Sequence, residues 1–179
     1  MKTKPVMLTA IACLTASLAI GCANQQQSDS GTSQSGSQTS SASTDKASPG
    51  ASLVYTNDRG IAIDGTDPVA YFQEQRPVAG NPKFSHTWKN ATWYFANAAN
   101  RDLFSANPER YAPQYGGYCA YAVANGYAAS TVPDAWSIVD GKLYLNFSLG
   151  VRDRWERDIP GNVAKGNQNW PAAARNFKG

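Results

Sequence analysis

One histidine, His86, and three cysteines, Cys13, Cys22 and Cys119, are the soft-metal and nucleophilic groups of this 179-residue chain. Imidazole and thiolate together suit Cu(I) or Zn(II): two ligands hold linear Cu(I), whereas a closed zinc site takes four. Asp64, Asp67 or a tyrosine could complete a larger set, although no spacing rule selects them. The same pair admits a second chemistry. Gly116-Gly117 precede a small-residue stretch that reads as a helix, and a helix N-terminus lowers the pKa of a thiol placed there. Cys119, with His86 as base, is then a candidate nucleophile, but no third orienting group is visible. The plainer alternative is that His86 pins a hairpin through a hydrogen bond and Cys119 packs as a small hydrophobe. A non-enzymatic protein is the expectation.

Cys22 belongs to a different kind of signal. Lys2 and Lys4 precede an apolar stretch, Val6 to Ile20, which ends in Ala19-Ile20-Gly21-Cys22. That stretch is short for a membrane span, which needs about 20 residues, and has the parts of an export signal. Small residues before a cysteine resemble a bacterial lipobox, with Ala19 where leucine is usual. Residues 23 to 50 are mostly Ser, Gln, Thr, Gly and Ala with almost no apolar bulk. Such a composition cannot offset its conformational entropy by burial and reads as a disordered leash. Acyl chains on Cys22 would anchor the chain to a membrane. Ala23 lacks the acid that often marks inner-membrane retention, which favours the outer membrane, facing the periplasm.

The elements that must position His86 and Cys119 begin near residue 51, where aromatic residues appear. Leu53-Val54-Tyr55 reads as a short strand. Asp67 reads as an N-cap with Pro68 at the first helical position, opening a brief helix through Tyr71 and Phe72. Residues Lys83 to Phe95 alternate as a β-hairpin about Lys89-Asn90. Asn97 caps a helix in which Leu103 and Phe104 are expected to face inward. A turn follows at Pro108–Tyr111, then a small-residue helix from Tyr118 to Ala124 that stops at Asn125-Gly126. Asp140-Gly141 is the strongest hairpin signal, joining Trp136–Val139 to Lys142–Leu145. Phe147 to Asp158 reads as an amphipathic helix with Val151, Trp155 and Ile159 at helical spacing, and a docked helix or ordered coil follows through Trp170. The aromatic residues Trp88, Trp93, Tyr94, Phe95, Tyr111, Tyr115, Tyr118 and Tyr121 are expected chiefly to build a core.

Charge excludes one class of partner. The net charge is +3, and Arg152, Asp153, Arg154, Glu156, Arg157 and Asp158 interleave in sign. That is a solvated helix face, not the clustered Lys and Arg of a nucleic-acid footprint.

Several runs resemble the exported branch of the YHS-domain family: Gly65-Thr66-Asp67-Pro68-Val69-Ala70-Tyr71-Phe72, Phe84-Ser85-His86, Ala91-Thr92-Trp93-Tyr94-Phe95-Ala96 and Asn100-Arg101-Asp102-Leu103-Phe104. So do Asn107-Pro108-Glu109-Arg110-Tyr111, Tyr115-Gly116-Gly117-Tyr118-Cys119-Ala120, Val139 to Asn146 and Asp158-Ile159-Pro160-Gly161-Asn162. The resemblance spans about residues 58 to 171. It implies a small α+β module, and relatives attached to copper-transporting ATPases and monooxygenases imply metal handling. The metal-associated version carries cysteines where this chain has Ala70 and Ala96, which leaves His86 as the candidate ligand on the matched strand.

The reading is therefore a signal peptide at 1–21, a lipidated Cys22 with its linker at 22–50, and an α+β domain at 51–179. That domain is a small single unit of β-hairpins packed against short helices. The expected role is transition-metal binding, copper or zinc, through Cys119 and His86. The alternative is an interaction module for an envelope partner or small ligand, with both residues structural. It predicts an exposed aromatic patch with Cys119 buried elsewhere.

Overall fold

Turn chemistry sets the frame. Lys89 and Asn90 both take positive φ, 50° and 60°, the pairing that a two-residue hairpin turn requires. They join β1 (Asn81–Trp88) to β2 (Ala91–Phe95), antiparallel, with an irregularity between Asn81 and Ser85. Asp140 and Gly141 do the same for β3 (Trp136–Val139) and β4 (Lys142–Leu145). The computed structural model describes residues 53–175. The expected export signal, Cys22 and the expected leash lie outside the described residues, among which no helix is long and apolar enough to cross a membrane.

Among the described residues, seven short helices pack on the hairpins: α1 (Ala70–Gln73), α2 (Ala98–Ala106), α3 (Pro108–Tyr111), α4 (Ala120–Ala124), α5 (Leu149–Glu156), α6 (Ile159–Asn169) and α7 (Ala172–Arg175). Together they make a small α+β domain. Its apolar residues form two clusters, and β4 runs between them. Side chains alternate across a strand, so Leu143 and Leu145 enter the first cluster while Tyr144 enters the second. In the first, the Phe104 ring is the hub: its centroid lies 5.1 Å from those of Trp93 and Phe95 and 5.7 Å from that of Trp88. In the second, Tyr144 lies 4.9 Å from Trp155, and Tyr115 and Tyr118 pack near Trp170. Most of the aromatic residues are thus core, as expected.

A buried carboxylate ties the first cluster together. Asp67 Oδ1 accepts the N–H groups of Val69 and Ala70, capping the start of α1, and Oδ2 accepts from Ala96 N–H and Asn100 Nδ2. Four donors on one carboxylate satisfy a charge that would otherwise be costly to bury.

Four local expectations need correction. Leu103 is exposed and Phe104 is not. The buried stripe of α2 is Asn100 and Phe104, one helical turn apart, and Leu103 is rotated off it. Leu53–Tyr55 form no strand; isolated bridges, Thr56 to Ala62 and Ile61 to Thr92, and backbone hydrogen bonds of Tyr55 with Gly116 and Ile63 tie this segment in. The 147–158 segment is not one helix. Ser148 caps α5 by accepting the Val151 N–H, the helix ends at Glu156, and Asp158 caps α6 by accepting the Gly161 N–H. Two strong caps ten residues apart divide a continuous apolar periodicity. Gly116-Gly117 lie in a separate 3-10 turn, Gln114–Gly117, and do not open the helix. Gly116 is required there because any Cβ would run into the carbonyl of Leu53.

Candidate functional site

The two residues singled out for chemistry sit in different surroundings. His86, half-buried on β1, pairs across the hairpin with Trp93, and its ring meets Phe104 of the first cluster edge-on at 6.1 Å. Among the described residues its imidazole makes no hydrogen bond, so it is held by packing and not by a polar pin. Cys119 heads α4, whose Ala120 and Val123 belong to the second cluster. No group of three or more His, Cys, Asp or Glu side chains able to hold a metal ion occurs among the described residues.

Cys119 is a cross-brace. Its N–H donates to Ala129 O at 3.0 Å and its carbonyl accepts from Val123 N–H at 2.9 Å. The thiol donates to Asn146 Oδ1 at 3.6 Å, and Sγ accepts the Phe147 N–H at 3.3 Å. Burial pushes the thiol pKa up, offset only in part by the N–H groups of Ala122, Phe147 and Tyr121. A neutral thiol is the form this environment selects, contrary to the activated thiolate that a helix-start position suggests.

Cysteine caps helices poorly, and the capping is done from elsewhere in the chain. Asn146 Oδ1 accepts the Tyr121 N–H of the first turn of α4 at 3.1 Å. This contact assigns the amide: the atom facing an N–H donor must be oxygen. Nδ2 is then left buried with no hydrogen-bond partner among the described residues. The other end of α4 closes with Gly126 at φ +85°, its N–H on Val123 O and the Tyr127 N–H on Ala122 O. This double bond pattern, with glycine in the left-handed region, folds the chain back so that Tyr127 lies beside Ala122.

These two ends of α4, with one face of α5, border an open cavity of about 280 Å³. It is lined by Cys119, Tyr121, Ala122, Tyr127, Ala129, Phe147, Val151 and Arg154. Val151 and Arg154 are three apart on α5 and share a face. Tyr127 and Phe147 are each 53% exposed, and neighbouring Leu149 is 51% exposed. The exposed aromatic patch is therefore at Cys119, not away from it. Arg152 pairs with Asp153 and Glu156, whereas Arg154 has no ion pair or hydrogen bond among the described residues. Of this set, only Cys119 and Tyr121 stood out from residue type. The legible hints to the rest were the Asn125-Gly126 helix stop and Val151 on the apolar stripe.

A second cavity, of about 220 Å³, is lined by Trp88, Trp93, Tyr115 and Trp170 together with Lys89 and Glu109. Lys89 Nζ lies 2.8 Å from Glu109 Oε1 and 4.1 Å from the Trp88 ring centroid, so its charge is already matched. No family model, curated protein or solved structure matches the chain.

Proposed function

We propose that the chain is an envelope lipoprotein whose α+β domain is a binding module for a small, largely apolar ligand, held in the cavity above Cys119. The observation that carries this reading is the cavity itself, concave and mostly apolar, rimmed by exposed Tyr127 and Phe147. Small-molecule sites are concave and mostly apolar with few polar groups, and about 300 Å³ is the lower end of their range. Exposed aromatic groups gathered at such a rim are a reason to expect an occupant. Cys119 and Asn146 then act structurally, bracing the start of α4, and His86 belongs to the packing of the first hairpin.

The rival, copper or zinc held by His86 and Cys119, rests on the YHS resemblance. His86 packs on Phe104 of the first cluster while Cys119 precedes Ala120 of the second, which lends it no support, and a thiol pushed up by burial is a poor ligand until it is deprotonated. Anchoring through Cys22 rests on the lipobox-like sequence.

Indole, a neutral apolar probe small enough for this cavity, tests the module on the full chain by amide chemical-shift titration. Saturable one-site shifts are expected, abolished by Ala129→Phe, which fills the cavity, and unchanged by His86→Ala. Shifts that survive Ala129→Phe would place the ligand elsewhere and end this reading.

A further inference from the structure

We infer that the occupant of the cavity above Cys119 is an amphipathic anion, a short alkyl chain ending in a carboxylate or similar group, with Arg154 as the residue that reads its charge. This rests on the binding-module reading and adds the ligand's chemistry to it.

The lining is lopsided. Cys119, Tyr121, Ala122, Tyr127, Ala129, Phe147 and Val151 carry no charge when the thiol is neutral, and Arg154 is the one ionised member. The neighbouring ionic groups are engaged elsewhere, except exposed Arg157, which is not part of the cavity wall. Arg152 is engaged by Asp153 and Glu156, Glu156 also accepts from the Ser137 hydroxyl, and Asp158 caps α6. Arg154 alone is both unpaired among the described residues and part of the cavity wall. A guanidinium has five donors in a fixed fork that matches a carboxylate, and it is weakly enough hydrated to work at an apolar edge. A cation in that position disfavours a cationic ligand and is indifferent to a neutral one. Selection among apolar ligands therefore falls to charge.

Size sets the chain length. At about 30 Å³ for a water-sized group, 280 Å³ holds about nine non-hydrogen atoms, close to an eight-carbon chain with its head group at the rim. A ligand of about ten non-hydrogen atoms binds with a Kd on the order of millimolar, so the binding must be read by a method suited to weak complexes.

Amide chemical-shift titration of the full chain with octanoate, octan-1-ol and octyltrimethylammonium makes the test. Octanoate is expected to shift Ala122, Tyr127, Ala129 and Phe147, and to bind about fivefold more tightly than octan-1-ol. Arg154→Gln should remove that preference while leaving octan-1-ol binding in place, and Arg154→Lys should keep most of it. Arg154 also sits in the last turn of α5, where a cation favours the helix. A purely structural Arg154 would lower the melting temperature in Arg154→Gln without changing the octanoate to octan-1-ol ratio, and that result overturns the assignment. Equal binding of all three probes overturns it too, but leaves the apolar module standing. If none of them binds, the module falls with it. Arg154-dependent flotation with phosphatidylglycerol vesicles, without binding of free octanoate, assigns Arg154 to a membrane surface and overturns the small-ligand reading.

Discussion

Each half of the domain has a buried polar side chain that organises a helix start, and the two are finished differently. Asp67 in the first half accepts four hydrogen bonds and leaves no oxygen without a donor. Asn146 in the second half caps α4 through Oδ1 but keeps a buried Nδ2 with no partner among the described residues. The cavities repeat the contrast. In the cavity lined from both clusters, Lys89 is matched by Glu109 and by the Trp88 face; in the one beside the second cluster alone, exposed Arg154 borders a mostly apolar hollow without an ion pair among the described residues. Proteins satisfy buried and half-buried polar groups almost everywhere, so the places where they do not are informative. Here the buried Asn146 Nδ2 lies in the half whose cavity is rimmed by exposed Tyr127 and Phe147. The first half reads as scaffold and the second as the working face.

The largest effect should come from breaking the satisfied hub. Asp67→Ala strands the N–H groups of Val69, Ala70 and Ala96 together with Asn100 Nδ2, and is expected to lower stability by about 4 kcal/mol in chemical denaturation. Asn146→Ala should cost about half as much, since it removes one helix cap and one weak thiol contact. Equal losses would mean that the two halves are finished alike.

A second effect, smaller at first, comes from alkali. Burial raises the Cys119 thiol above its ordinary value of 9.0. The unfolded chain therefore releases that proton at lower pH than the native one. Its contribution to stability is complete below about pH 9 and is lost as pH rises toward the native value. Tyr71, Tyr115 and Tyr144 are also raised, mainly by burial, and Tyr55 is pushed up to about 12 by burial and by Asp64, so the decline should steepen above pH ~10. Denaturation curves from pH 7 to 11 (roughly the span of these groups) should show the early part of the decline missing in Cys119→Ala. If that variant follows the same curve, the thiol is not buried as a neutral group.

The smallest effect belongs to the matched cation. Lys89→Met removes an exposed ion pair and a cation–ring contact and should change stability by about 1 kcal/mol or less. A loss of several kcal/mol would show that the first cavity depends on its charge pair after all.

Local chemistry was readable wherever a few neighbouring residues decide the outcome. Both hairpins fall where Lys89-Asn90 and Asp140-Gly141 place them, and Asn97 caps α2 by accepting the Asn100 N–H. The Asn125-Gly126 stop ends α4. Errors arose where the pattern was right but its phase or continuity was not, as with Leu103 and with the division between α5 and α6. Helix facing depends on what lies opposite, and apolar periodicity does not report a cap in its middle.

By itself, then, the sequence determined the hairpin turns, the Asp67 and Asn97 caps, most of the helices and the class of residue that fills the core. These follow from backbone preferences and nearest neighbours, which act over a few positions. Only the tertiary structure decided that β4 sends Leu143 and Leu145 to one cluster and Tyr144 to the other, and that Asn146 reaches back to cap α4 and meet Cys119. It alone decided that Arg154 overlooks an apolar cavity without a partner while Arg152, two residues away, is paired. Contacts between distant residues depend on how whole elements pack, and that packing has no signature in the residues taken a few at a time.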